Sequence, residues 1–516
     1  DTFTCGHASN SISAALGMAV ASKLTKQHRH VVAIIGDGAM SGGLAYEGLN
    51  NVSSQPNDLL IILNDNDMSI DRAVGGMEQY LLNLDTNETY NRLRFKASQW
   101  LHAKGLLNED RRKGLLRLNN ALKSALAHQQ NIFEGMNIRY FGPFDGNDVG
   151  ELVRILRQLK DMKGPKLLHL HTKKGKGYEP AEKSAVVWHA PGKFDPKTGK
   201  RIIHESHNEP PKFQDVFGNT LLELARKNPR IVGVTPAMPT GCSMNIMMKD
   251  MPERTFDVGI AEAHAVTFSA GMAKDGLQPF CNIYSAFSQR AYDSIIHDMA
   301  ILNLPVVLCL DRAGLVGEDG ATHQSLEDIS CMRTLPNMTV VVPADERETE
   351  AVIEWAASYN GPVYVRLGRA GVDDVTTEGY SFVPGKSTTL VDGSDVTIIA
   401  CGALVGPAVE AAKTLSEANV SARVINMASI KPIDIEAIVK AATETGAIVT
   451  AEERNIIGGL GSAVSEVVVA NKPVPMEFVG VQDTFGESGT PKELMKKYGL
   501  TANDIVEAVK RVIARK

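Results

Sequence analysis

Six cysteines in 516 residues, none in a Cys-x-x-Cys pair, argue against a disulfide framework or a zinc ribbon. Strong charge of either sign is missing too. A formal net charge of −6 gives no support for a nucleic-acid or membrane-surface binder. No apolar run reaches the length of a bilayer span. Cys5, Cys242, Cys281, Cys309, Cys331 and Cys401 are scattered, and several sit in apolar runs such as Val307-Leu308-Cys309-Leu310. They read as reduced residues of a cytoplasmic protein. The opening Asp1-Thr2-Phe3-Thr4-Cys5-Gly6-His7 has no initiator methionine and no signal or transit pattern. It reads as the interior of a longer chain.

The composition is that of a globular protein too long for one core: 43% hydrophobic and 22% charged over 55.7 kDa. Apolar runs of strand length alternate with helical segments, which predicts three consecutive α/β domains with mainly parallel sheets. The expected domains are 1–205, 213–380 and 386–516, with a Pro-, Lys-, His- and Gly-rich linker from Pro191 to Lys212 and a second junction near Pro384-Gly385. A leucine-rich stretch from about Gly75 to Gln130 reads as amphipathic helices, and a mobile lid is its sharper alternative.

The first block carries the most informative pattern. Val31-Val32-Ala33-Ile34-Ile35 runs into Gly36-Asp37-Gly38-Ala39, and Leu59-Leu60-Ile61-Ile62-Leu63 runs into Asn64-Asp65-Asn66, 26 positions after Gly38. Two buried parallel strands joined by a helix bring both ends to one sheet edge. There Asp37 and Asn66, with the carbonyl of Met68, offer oxygen ligands to a magnesium ion carrying a diphosphate. A Gly-Asp-Gly turn alone would be unremarkable. In the second block, Glu262 in Ile260-Ala261-Glu262-Ala263-His264 follows a β-run and opens a helix, as a structural carboxylate on a helix dipole also would.

Together these motifs resemble the thiamine diphosphate enzymes. Cys5-Gly6-His7-Ala8-Ser9-Asn10-Ser11, Asn66-Asp67-Met68-Ser69-Ile70, Thr172-Lys173-Lys174-Gly175-Lys176-Gly177-Tyr178, Ile283-Tyr284-Ser285-Ala286-Phe287-Ser288-Gln289-Arg290 and Asp311-Arg312-Ala313-Gly314-Leu315-Val316-Gly317-Glu318-Asp319-Gly320 narrow this. Over essentially the whole chain they resemble the 1-deoxy-D-xylulose-5-phosphate synthase family, of transketolase-like fold. The resemblance implies a homodimer using thiamine diphosphate and Mg2+ to condense pyruvate with D-glyceraldehyde 3-phosphate, with loss of carbon dioxide, for isoprenoid, thiamine and pyridoxal biosynthesis.

By residue, the resemblance implies that Gly6, His7, Ala8, Gly38, Ala39, Asn66, Ile70, Lys174, Tyr178, Phe287 and Arg290 surround the cofactor. It gives Asp37, Asn66 and Met68 to the metal, and makes Glu262 the carboxylate that drives the pyrimidine into its imino tautomer. His189 and His323 become candidates for proton handling. Tyr284, Arg312, Asp319, His323 and Arg369 face the phosphorylated acceptor. Three departures stand out: the family's segment before Asp1, Asn147 in place of a usual His, and Ala263 in place of a usual Gln. Transketolase is the runner-up, from Thr322-His323-Gln324 and Asp483-Thr484-Phe485-Gly486. An inactive cofactor- or partner-binding scaffold is the second alternative. Gly458-Gly459-Leu460-Gly461-Ser462 reads as a helix-start turn, and His28 with His30 as surface residues without zinc.

Overall fold

The computed structural model describes residues 2–3, 6–55, 57–68, 74–85, 131–202 and 210–516. The chain divides into two compact units: 1–204 with Gly259–Ala261, and the remainder to Lys516. The lid alternative for 75–130 falls mostly outside the described residues, of which the helix Gly76–Asp85 is the described part.

In the first unit, four parallel strands, β1 (Val32–Gly36), β2 (Leu60–Asp65), β3 (Arg139–Asp145) and β4 (Lys166–His171), lie in the order β1-β2-β4-β3. Alternation sends Ile61, Leu63 and Leu167 into one core with Ile12, Leu16 and Leu49, and Leu60, Leu168 and Leu170 into another with Ile155 and Leu159. Strands buried on both faces tend to be unbroken apolar runs, which is why the run 59–63 into β2 was legible. β1 departs from that expectation. As an edge strand in this chain it leaves Val32 and Ile34 exposed at 45% and 65%. Gly142 has φ +124°, and a Cβ there would lie 2.4 Å from the His169 carbonyl oxygen. Only glycine lets β3 approach β4 so closely.

The second unit holds two further sheets. One contains β5 (Ile231–Thr235), β6 (Thr255–Asp257), β7 (Gln278–Tyr284), β8 (Val307–Asp311), β9 (Thr339–Val341) and β10 (Val363–Arg366). The other contains β11 (Thr388–Val391), β12 (Val396–Ala400), β13 (Ala422–Asn426), β15 (Ile448–Asn455) and β16 (Met476–Val481). β14 (Ser429–Lys431) leaves the last block and pairs antiparallel with β9, completing the seven-stranded order β14-β9-β10-β8-β7-β5-β6. A shared core joins Leu315, Leu326 and Ala344 to Leu404, Val449 and Ile505. The last two blocks are therefore welded by a strand and a core, which local patterning does not reveal.

The helix Leu460–Asn471 starts at the glycine-rich turn, and Glu452 accepts from the N–H groups of Leu460 (2.7 Å) and Gly461 (2.9 Å). That helix start is filled by the protein's own carboxylate. Cys242, Cys281, Cys309 and Cys401 are free and buried, and Cys331 is free and half-buried. Among the described residues no helix is long and apolar enough to cross a membrane.

Candidate active site

Register builds the first cluster. Gly36 lies opposite Asn64, so the residues after β1 and β2 meet at the carboxyl edge of the sheet. Asp67, at φ +57°, turns the chain there, a conformation Asp tolerates better than most side chains. Carboxylate oxygens of Asp37, Asp65 and Asp67 lie within 4.8 Å of one another. Both oxygens of Asp37, Oδ1 of Asp65 and Oδ1 of Asn66 are buried without a hydrogen-bond partner. Burial, then repulsion from Asp65, pushes the Asp37 carboxyl up to about 6. Unpartnered buried oxygens of this kind suit a hard cation. The geometry brings Asp65 and Asp67 beside the candidate ligands read from the sequence. Both lie in the Asn64-to-Met68 motif, and their approach to Asp37 depends on the pairing of β1 with β2.

Gly6, His7 and Ala8 are half-buried in the loop before the helix Ser11–Leu24. Ser9 ties this loop to the Asp37 turn by donating to the Ala39 carbonyl at 2.6 Å. Met68 is half-buried, and Ile70 lies outside the described residues. Lys174 Nζ donates to His189 Nδ1 at 2.9 Å, which puts the ring proton on Nε2. Tyr178 packs edge-on to Trp188 at 5.1 Å, with its hydroxyl buried and without a hydrogen-bond partner. Asn147 Oδ1 accepts from the Lys173 N–H at 2.9 Å and so fastens the lysine-rich loop.

In the second unit, Glu262 opens the helix Glu262–Lys274 between β6 and β7, 4% exposed. Desolvation raises its pKa, partly countered by Arg290, whose Nη1 stands 3.6 Å from Oε2. Tyr284 and Asp311 face each other across β7 and β8. Arg312, one residue on, consequently lies over the Tyr284 ring at 4.1 Å. Tyr284, Phe287, Arg312, Asp319, His323 and Arg369 line one pocket. Phe287 stacks on Tyr284 at 5.7 Å and meets His323 edge-on at 5.3 Å. Arg369 donates to the Val316 carbonyl at 2.8 Å. Sequence reading missed Asp311 and Glu453. The first is a fully buried carboxyl pushed up to about 7, chiefly by desolvation. The second accepts from the Leu315 N–H at 2.8 Å and holds the loop after β8.

Residues 1–172 match the 1-deoxy-D-xylulose-5-phosphate synthase family. Residues 209–373 match the transketolase pyrimidine-binding domain, and 385–505 the transketolase C-terminal domain. The 1-deoxy-D-xylulose-5-phosphate synthase of Bacteroides thetaiotaomicron is 57% identical over 98% of this chain and 79% of its own. That of Phocaeicola vulgatus is 56% identical over 99% and 82%. The chain belongs to the 1-deoxy-D-xylulose-5-phosphate synthase family. It is a transketolase-type transferase and uses thiamine diphosphate. Among solved structures, an inactive β4 tetramer of a split-gene transketolase is 44% identical, covering 59% of this chain and 98% of its own, with a TM-score of 0.56. Transketolase from Leishmania mexicana, at 18% identity over 98% of this chain and 81% of its own, shares the fold with a TM-score of 0.52.

Proposed function

We propose that this synthase-family chain condenses pyruvate with D-glyceraldehyde 3-phosphate to 1-deoxy-D-xylulose 5-phosphate and carbon dioxide. The identity of 57% with a named synthase over 98% of the chain carries this reading. In the cell the product feeds isoprenoid, thiamine and pyridoxal biosynthesis. The working form is a cytoplasmic homodimer of three α/β domains, 1–205, 213–380 and 386–516.

When bound, thiamine diphosphate supplies the nucleophilic carbon and the electron sink for decarboxylation. Asp37, Asn66 and the Met68 carbonyl would hold Mg2+, a fit supported by the unpartnered buried side-chain oxygens of Asp37 and Asn66. Gly6, His7, Ala8, Gly38, Ala39, Ile70, Lys174 and Tyr178 line the diphosphate side, and Phe287 with Arg290 the aminopyrimidine side. Glu262 faces the pyrimidine as its hydrogen-bonding carboxyl, and burial raises its pKa above the usual carboxylate value, partly countered by Arg290. Tyr284, Arg312 and Arg369 receive the acceptor phosphate, with Asp319 at the channel. His189 and His323 move protons to and from developing alkoxides.

Purified protein with thiamine diphosphate and Mg2+, fed both substrates, is expected to release carbon dioxide and accumulate 1-deoxy-D-xylulose 5-phosphate. Ketol transfer from a ketose phosphate without carbon dioxide would establish the transketolase reading instead. Silence in both assays, with cofactor bound, would make the chain a scaffold.

A further inference from the structure

Behind the Asp37 cluster a line of polar side chains crosses three of the four strands of the first sheet. Tyr140 lies opposite Leu167, His169 opposite Leu63, and Asp65 two residues beyond Leu63. Because side chains alternate, a step of two residues per strand keeps all three on one face and moves toward the carboxyl edge. The Tyr140 hydroxyl lies 2.7 Å from His169 Nδ1, and His169 Nε2 lies 2.8 Å from Asp65 Oδ2. A neutral imidazole accepts from tyrosine at Nδ1 and donates to the carboxylate at Nε2. His169 is fully buried, Asp65 is 3% exposed and Tyr140 5%.

This arrangement occupies Oδ2 of Asp65 and leaves Oδ1 buried without a partner, while a carboxylate oxygen of Asp65 lies within 4.8 Å of one of Asp37. Two neighbouring buried carboxylates repel one another unless a positive charge joins them. We propose that Asp65 acts on the divalent cation through Oδ1, and that His169 and Tyr140 are positioning residues that lock its orientation. This rests on the reading of Asp37 as a cation ligand. A hydrogen-bonded partner behind a metal-facing carboxylate fixes its geometry, and its loss typically lowers metal affinity about 10–100-fold. Neither His169 nor Tyr140 contacts the cation.

The test is Mn2+ affinity of the purified full chain at a fixed thiamine diphosphate concentration, read as free Mn2+ by electron paramagnetic resonance. Circular dichroism and thermal unfolding identify folded variants. Tyr140→Phe deletes one hydroxyl and keeps the ring in its core. Expected are weaker Mn2+ binding in Tyr140→Phe, a loss of about 10–100-fold in His169→Gln, and at least as large a loss in Asp65→Asn. Folded Tyr140→Phe and Asp65→Asn proteins with wild-type affinity would overturn the inference. If Asp37→Asn alone abolished binding, the cation site would stand while the positioning role failed. Absence of Mn2+ binding in the wild type would remove both.

Discussion

The Glu453 Oε1 atom, on β15, accepts a hydrogen bond from the backbone N–H of Leu315 at 2.8 Å, so the last α/β block holds the loop that lines the pocket of Tyr284, Arg312 and Arg369 in the block before it. Gly314, at φ +98°, permits the contact, since a Cβ there would lie 2.5 Å from the same Oε1 atom. Gln324 adds a second tie, donating to the Gly317 and Glu487 carbonyls at 3.0 Å each. Glu453→Ala strands the Leu315 N–H, a cost of about 1–3 kcal/mol. The expected result is a lower unfolding temperature and a KM for glyceraldehyde 3-phosphate that rises more than kcat falls. Steady-state kinetics with each substrate varied checks this, and an unchanged acceptor KM would argue against the tie.

Glu262→Gln keeps the shape of the side chain at the start of its helix and removes the ionisable proton. Turnover is expected to fall by about 100-fold or more, as for other positioned acid–base groups. Mn2+ binding should stay near wild type, because the cation is assigned to other residues. Wild-type turnover in this variant would end the assignment of Glu262.

Arg312 stands over the Tyr284 ring, and its Nε is buried without a hydrogen-bond partner. Arg369, by contrast, already donates to the Val316 carbonyl. Arg312→Gln should therefore weaken the phosphorylated acceptor by about 10–100-fold, the worth of one or two charge-assisted hydrogen bonds. Unphosphorylated glyceraldehyde should react nearly as before. Comparing kcat/KM for the two aldehydes tests the role, and equal losses would contradict it.

Asp311 supplies a pH dependence of stability. Its folded pKa is raised to about 7, while the unfolded chain titrates in the usual carboxylate range near 4. The folded state therefore binds the proton more tightly. The stabilising contribution is complete below the unfolded value and is lost as pH rises to about 7. Asp311→Asn keeps an oxygen for the Arg312 N–H and cannot ionise. Its unfolding temperature, measured from pH 4 to 8, should fall less with rising pH than that of the wild type. Parallel profiles would refute the assignment.

Much of the strand content was written in composition. Leu59 to Leu63 and Pro305 to Leu310 are unbroken apolar runs because the sheets are covered on both sides, so helix–strand alternation was visible locally. Strands such as β3 and β7 were not singled out: β3 mixes aromatic and polar residues around Gly142-Pro143, and β7 carries Gln278 and Asn282 within its buried run. Asp37 and Glu262 were legible because each sits where a strand run ends and chemistry-bearing residues begin.

The sequence by itself determined which residue types stand at strand ends, and so the family and the class of chemistry. Tertiary structure decided which of them meet. The diagonal from Tyr140 through His169 to Asp65 depends on parallel register across β3, β4 and β2. The Glu453–Leu315 tie joins residues 138 positions apart. Propensity and periodicity act over a few residues, whereas these contacts depend on how sheets align. A buried carboxylate shows its task only once its neighbours, and the oxygens they leave unpaired, are in place.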